Sequence, residues 1–74
     1  MSSGIEYGIE RNEDAIYGLL QTLEEEFKDP NVAQPLVISV GDNLVIRTAT
    51  PGDAIMPLLR IATDLRVEYW ESRV

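Results

Sequence analysis

The sequence predicts an α+β fold in which two helices pack on one face of a small antiparallel sheet. Two segments have helical periodicity, and between them two alternating segments are joined by a short turn. Each segment has one apolar side, and placing both helices on the same face of the sheet buries these sides together. We expect residues 12–74 to form this single domain, and residues 1–11 to form an N-terminal extended segment or short strand.

The first helix is predicted over residues 12–28. Asn12 is a favourable N-cap, and the helix ends before Pro30 because the residue preceding a proline avoids the α conformation. Gly18 costs about 1 kcal/mol relative to alanine, so a close contact with a neighbouring element is expected there. The apolar side chains fall on one face, at Ile16, Leu19, Leu20, Leu23 and Phe27.

A β-hairpin is predicted over residues 36–48. A three-residue loop, Gly41-Asp42-Asn43, gives one almost wholly apolar face, whereas a two-residue loop sets Ile38 opposite Arg47 on a mixed face. Asn43 tolerates the left-handed conformation that the longer loop requires. The predicted pairs are Val40 with Leu44, Ile38 with Ile46 and Leu36 with Thr48.

The second helix is predicted from about Asp53 to Ser72. Thr50 with Asp53 resembles a capping box, and Pro51 suits the first helical position. Pro57 lacks the amide that a regular helix uses, so a loose or bent first turn is expected over residues 53–57. The inward side chains are predicted to be Leu58, Ile61, Ala62, Leu65 and Tyr69.

The N-terminal stretch GIEYGIE alternates with the period of a half-buried strand. Ile5, Tyr7 and Ile9 lie on one side of it. A two-stranded sheet is marginal by itself, so this segment is expected to cover an open edge of the hairpin, in the same chain or in a neighbouring copy. A disordered tail and an extension of the first helix are the alternatives.

Composition disfavours several classes of function. The chain has 74 residues, no cysteine, no histidine and a formal net charge of −7. This charge repels phosphate backbones and anionic lipid surfaces, so neither direct nucleic-acid binding nor membrane binding is expected. Without histidine or cysteine the usual catalytic base and thiol nucleophile are missing. We therefore expect no catalytic, metal or cofactor site and no small-molecule substrate. The expected location is the cytoplasm.

A contact surface is predicted on the second helix. Its residues recur at steps of three and four, about 100° round from the inward side chains. Arg66 precedes Trp70 by one turn, where a guanidinium can lie over the indole; alternatively, Trp70 covers the end of the core. The predicted partner-binding residues are Leu59, Thr63, Arg66, Val67 and Trp70, together with Ile5, Tyr7 and Ile9 of the N-terminal segment.

The leading functional prediction is a small, acidic, non-enzymatic protein-interaction module. It is expected to be homodimeric or a subunit of a larger assembly, and its partner is another protein or a second copy of itself. Arg60, Arg66 and Arg73 lie on the second helix whereas the first helix carries most of the acid, so an antiparallel contact between two copies matches opposite charges.

Two alternatives belong to other classes. An acidic inhibitor that mimics nucleic acid would use carboxylates spaced like phosphates, and six are available in and beside the first helix: Glu13, Asp14, Glu24, Glu25, Glu26 and Asp29. The helix–hairpin–helix order of residues 12–72 also resembles the small head–tail joining protein of lambda-like phages. That resemblance is architectural, assigns no residue a role and implies a structural function in a virus particle.

Overall fold

The computed structural model describes residues 4–72. The chain forms strand β1 (Ile5–Ile9), helix α1 (Glu13–Glu26), strands β2 (Leu36–Val40) and β3 (Leu44–Thr48), a 3-10 turn (Gly52–Ala54) and helix α2 (Ile55–Ser72). Both helices pack on one face of a three-stranded sheet. The α+β class with two helices on one face and an added N-terminal strand is therefore confirmed.

The sheet has the strand order β1-β2-β3. The hairpin is antiparallel in the predicted register, with Ile38 opposite Ile46. β1 pairs with β2 in parallel, with Tyr7 beside Ile38, because α1 carries the chain back to the starting end of the sheet before β2 begins. The sheet is thus mixed, and the GIEYGIE segment covers the β2 edge within its own chain.

The hairpin loop uses glycine for its left-handed residue. Gly41 has φ +65°, and no non-glycine residue of the described chain has a positive φ. The expectation that Asn43 would adopt this conformation is wrong. The Gly41 amide also donates to the Ile9 carbonyl oxygen at 2.9 Å, so the loop fastens the end of β1.

The expected caps form before α1 and before the 3-10 turn that leads into α2. The Asn12 side-chain oxygen accepts from the Ala15 amide at 2.7 Å, and the Thr50 hydroxyl accepts from the Asp53 amide at 3.2 Å. The tight 3-10 turn ends at Ala54, so Pro57 falls in the first turn of α2, where a missing amide costs least. The loose or bent first turn predicted for this helix is therefore a 3-10 turn that leads directly into α2.

The core lies between the covered face of the sheet and the two helices. α1 contributes three side chains, β2 contributes every second residue, the 3-10 turn contributes one and α2 contributes two. The buried hydrophobic residues are Ile16, Leu19, Leu23, Leu36, Ile38, Val40, Ala54, Leu58 and Ala62.

Two predictions about packing are wrong. Nothing lies within 4 Å of the position that a Cβ would take at Gly18, so no close contact explains that glycine. Tyr69 was placed with the inward side chains of the second helix, yet it is 53% exposed. α1 begins at Glu13, beside Arg66, so the last turns of α2 have little of the helix layer to pack on.

Candidate protein-contact surface

An apolar stripe runs along the solvent side of α2. We call it the α2 stripe and define it as Met56, Leu59, Thr63, Val67 and Trp70. The steps of three, four, four and three keep these residues on one side of the helix, opposite the buried Leu58. At 1.5 Å per residue the stripe is about 21 Å long.

The stripe is accessible along its whole length. The exposed fractions are 70% for Met56, 37% for Leu59, 49% for Val67 and 62% for Trp70, and Thr63 is also exposed. Six of the eleven large hydrophobic side chains exposed in the described chain lie on α2. This helix is therefore apolar toward the core and again toward solvent.

Sequence reasoning found four of the five stripe residues and missed Met56. The spacing from Met56 to Leu59 and Trp70 is the helical one, so the pattern was available. The first turn of the predicted helix, over residues 53–57, was expected to be loose or bent, so Met56 was not counted with its regular part. Because the 3-10 turn ends at Ala54 and α2 begins at Ile55, Met56 lies in register with the rest of the stripe.

Trp70 does not cover the end of the core. Its ring contacts the Tyr69 ring edge-on, with centroids 6.0 Å apart and planes at 76°. Within residues 4–72 Arg66 does not stack on Trp70 as expected. Arg66 instead donates to the Glu13 carboxylate of α1 at 3.0 Å, so its guanidinium lies over the first helix.

Two ion pairs tie the far half of α2 to the rest of the molecule. Arg66 pairs with Glu13, and Arg11 pairs with Glu68 at 2.8 Å. The hydrogen bond with Glu13, and then the charge of Glu13, raise the pKa of Arg66. The hydrogen bond and the charge of Arg11 lower the pKa of Glu68. These pairs position the part of α2 that carries Val67 and Trp70.

The predicted N-terminal contact residues lie elsewhere. Tyr7 and Ile9 pack against the core, and Ile5, the first residue of β1, is 37% exposed. The Tyr7 hydroxyl donates to Glu26 of α1 at 2.7 Å, on the β1 side of the helix layer. The structure therefore does not bring Ile5, Tyr7 and Ile9 together with the α2 stripe, and their side chains line the chain's own sheet.

Two open clefts adjoin the start of α2. One, of about 300 Å³, lies between the end of α1 and the start of α2 and is lined by Leu20, Phe27, Pro51 and Ile55 among others. The other, of about 350 Å³, lies between β3 and α2 and reaches Met56, Leu44 and Arg60. The second cleft extends the apolar surface of the stripe from Met56 onto β3.

Other kinds of site are not seen in the described chain. Within residues 4–72 no three acidic side chains cluster in a way that could hold a metal ion. No helix in that range is long and apolar enough to cross a membrane. Arg73, one of the three arginines assigned to the second helix, lies outside the described residues.

The described part of α2 has three acidic residues, Asp64, Glu68 and Glu71, and two basic residues, Arg60 and Arg66. Arg66 is paired with α1 of the same chain, so part of the charge match expected between two copies is used within one.

Comparison with models of known protein families, with curated proteins and with solved structures gives no match.

Proposed function

We propose that this protein is a non-enzymatic protein-interaction module, homodimeric or a subunit of a larger assembly, that contacts another protein through the α2 stripe. The observation that carries the proposal is the row of exposed large apolar side chains on the solvent side of α2. Monomeric proteins seldom leave a contiguous row of this kind in water, and such rows mark interaction sites. Tryptophan is also the residue type most enriched among the side chains that dominate binding energy.

The proposed partner presents an apolar groove with a basic rim. A helix that displays anchors at i, i+3, i+7, i+11 and i+14 suits binding in a groove. The helix layer that carries the stripe is acidic: α1 has five carboxylates and no basic residue between Glu13 and Glu26. In the described part of α2, three carboxylates outnumber two arginines. A basic rim complements that surface, and complementary charge favours the correct partner.

The same geometry favours an apolar contact over mimicry of nucleic acid. A phosphate mimic needs carboxylates that are free to meet a basic site. Glu13 is bound to Arg66 and Glu26 accepts from Tyr7. Glu25 accepts from Gln21 and Asp29 accepts from the Asn31 amide, so four of the six carboxylates considered for that role are engaged within the chain. The cytoplasm stays the proposed location, on the composition alone.

Affinity purification from the native source, followed by binding measurements with the purified partner, tests the proposal. Trp70→Ala is the principal variant, because a side chain 62% exposed is removed without opening the core. Val32→Asp is the control, since Val32 is 41% exposed in the connector, away from α2. We expect Trp70→Ala to weaken binding roughly 30-fold, as truncation of a dominant contact does, and the control to leave it unchanged.

Three results would contradict the proposal. One is equal binding by the wild type and Trp70→Ala. Another is failure of the wild type to bind any protein reproducibly. The third is an affinity that falls steeply with salt and ignores Trp70→Ala, which would instead support the nucleic-acid mimic.

A further inference from the structure

Among residues 4–72 no element covers the face of the sheet that points away from the helices. We define the open face as Glu6 and Gly8 of β1, Val37 and Ser39 of β2, and Val45 and Arg47 of β3. These residues alternate with those that face the core, so their side chains point to the other side of the sheet. The register arranges them in two rows, one of Glu6, Val37 and Arg47, the other of Gly8, Ser39 and Val45.

We propose that the open face is the surface through which two copies of this chain associate. This inference goes beyond the α2 contact surface and does not depend on it, because the two surfaces lie on opposite sides of the molecule. It rests on three features of the open face: its charge, its glycine and the fit between its two rows.

The first feature is charge. Two copies that each carry a net charge of −7 repel one another, so they approach most easily where the local charge cancels. The open face holds one carboxylate, Glu6, and one guanidinium, Arg47. The helix layer is unsuitable for pairing like copies, because α1 alone presents five carboxylates.

The second feature is Gly8. A glycine inside a strand costs roughly 0.5–1 kcal/mol relative to alanine. Nothing lies within 4 Å of the Cβ position at Gly8, and its φ is not positive, so neither packing nor backbone conformation within the chain requires a glycine. A strand glycine often marks a place where another backbone or side chain approaches closely.

The third feature is how the rows match a second copy. A two-fold axis parallel to β2 sets β1 of one copy over β3 of the other. Glu6 then faces the partner's Arg47, and Val45, which is 51% exposed, faces the space above the partner's Gly8. An axis perpendicular to the strands keeps β1 over β1 and brings the two Glu6 carboxylates to the same side. Charge and size therefore both select the first arrangement, a geometry compatible with face-to-face sheets.

The small area sets the strength of the contact. Three strands of five residues present a face of roughly 14 Å by 17 Å. Stable complexes bury about 800 Å² on each partner, so the proposed dimer is weak. Sedimentation must therefore follow the molecular mass over a wide range of concentrations.

Charge reversal tests the arrangement. Glu6→Arg sets arginine against the partner's Arg47, and Arg47→Glu sets two carboxylates together, so each single variant weakens association roughly tenfold or more. The double variant restores the opposite pairing and with it the association. Glu25→Arg, on the outer side of α1, changes the net charge as Glu6→Arg does and serves as the control that leaves dimerisation in place.

Gly8→Val gives a second measurement that does not depend on charge. The open space above Gly8 accepts the side chain in a single copy, so the monomer keeps its stability, but valine fills the space that the partner's Val45 occupies. The expected result is a folded monomer. A wild type that stays monomeric at the highest concentration reached would overturn the inference, as would a double variant no better than the single ones. A dimer lost in Trp70→Ala but unaffected by the charge reversals would assign self-association to α2 instead.

Discussion

The two faces of the sheet differ although they are built from the same three strands. On the covered face Leu36, Ile38 and Val40 are at most 1% exposed. On the open face Val37 and Ser39 of the same strand are only half-buried. Because successive side chains of a strand point to opposite sides, one strand serves the core with one set of residues and faces outward with the other. Substitutions on the first set are expected to change stability, and those on the second to change association.

Ile38→Ala should produce the largest difference between the faces. Ile38 is fully buried at the centre of the sheet, so its truncation costs about 2–5 kcal/mol of the free energy of unfolding. Val45→Ala, on the open face, should stay within about 0.5 kcal/mol of the wild type. Urea unfolding followed by circular dichroism measures both, since the exposed Trp70 makes fluorescence insensitive to unfolding. Ile38→Val, at about 0.5–1.5 kcal/mol, serves if the alanine variant does not fold. Equal losses at Ile38 and Val45 would refute the contrast.

Gly52→Ala tests how the helix layer is fastened over the covered face. A Cβ at Gly52 would stand 2.9 Å from the Pro30 carbonyl oxygen, which already accepts from the Gly52 amide at 2.8 Å. Because the obstacle is backbone, we expect a loss of about 1–3 kcal/mol. Gly8→Ala, on the open face, is the matched control and should cause no loss. A stable Gly52→Ala variant would mean that the connector shifts freely.

Tyr7 joins the edge of the covered face to α1 and gives stability a dependence on pH. Burial, and then the hydrogen bond and charge of Glu26, raise the pKa of Tyr7 to about 12. The unfolded phenol ionises near pH 10, so the contribution is complete below pH 10 and is lost as the pH rises from 10 to 12. Tyr7→Phe should cost about 1 kcal/mol at neutral pH and remove this part of the alkaline decline. Identical pH profiles for the two proteins would exclude the contribution.

Gly18→Ala should give the smallest change, and a favourable one. Gly18 lies on α1 with open space around its Cβ position. A methyl group therefore fits there, as it does at Gly8 on the open face. Alanine should raise stability by about 0.4–1 kcal/mol, because it favours the helix and restricts the unfolded chain. The midpoint of thermal unfolding reports the gain. A fall in that midpoint would reveal a close contact at Gly18 after all.

Local rules predicted most of the fold. The position of Asn12, the helical spacing from Ile16 to Leu23 and the alternation of the hairpin each involve residues close in sequence, so a single pattern was enough. The hairpin register followed from one requirement, that the apolar residues share a face. The residues of the α2 stripe followed from helical spacing in the same way, except for Met56, whose neighbour Pro57 concealed the regular helix.

The sequence by itself determined the two helices, the hairpin and its register, the caps and most of the residues that face the core. Only the tertiary structure decided that β1 runs parallel to β2, that Gly41 takes the left-handed position, that Tyr69 points to solvent and that Arg66 pairs with Glu13. These features depend on residues far apart in the chain, or on where α1 begins relative to α2. Spacing along a sequence fixes which residues share a face of an element. Which other element contacts that face is decided by tertiary packing. In the described chain no element packs on the α2 stripe or on the open face of the sheet.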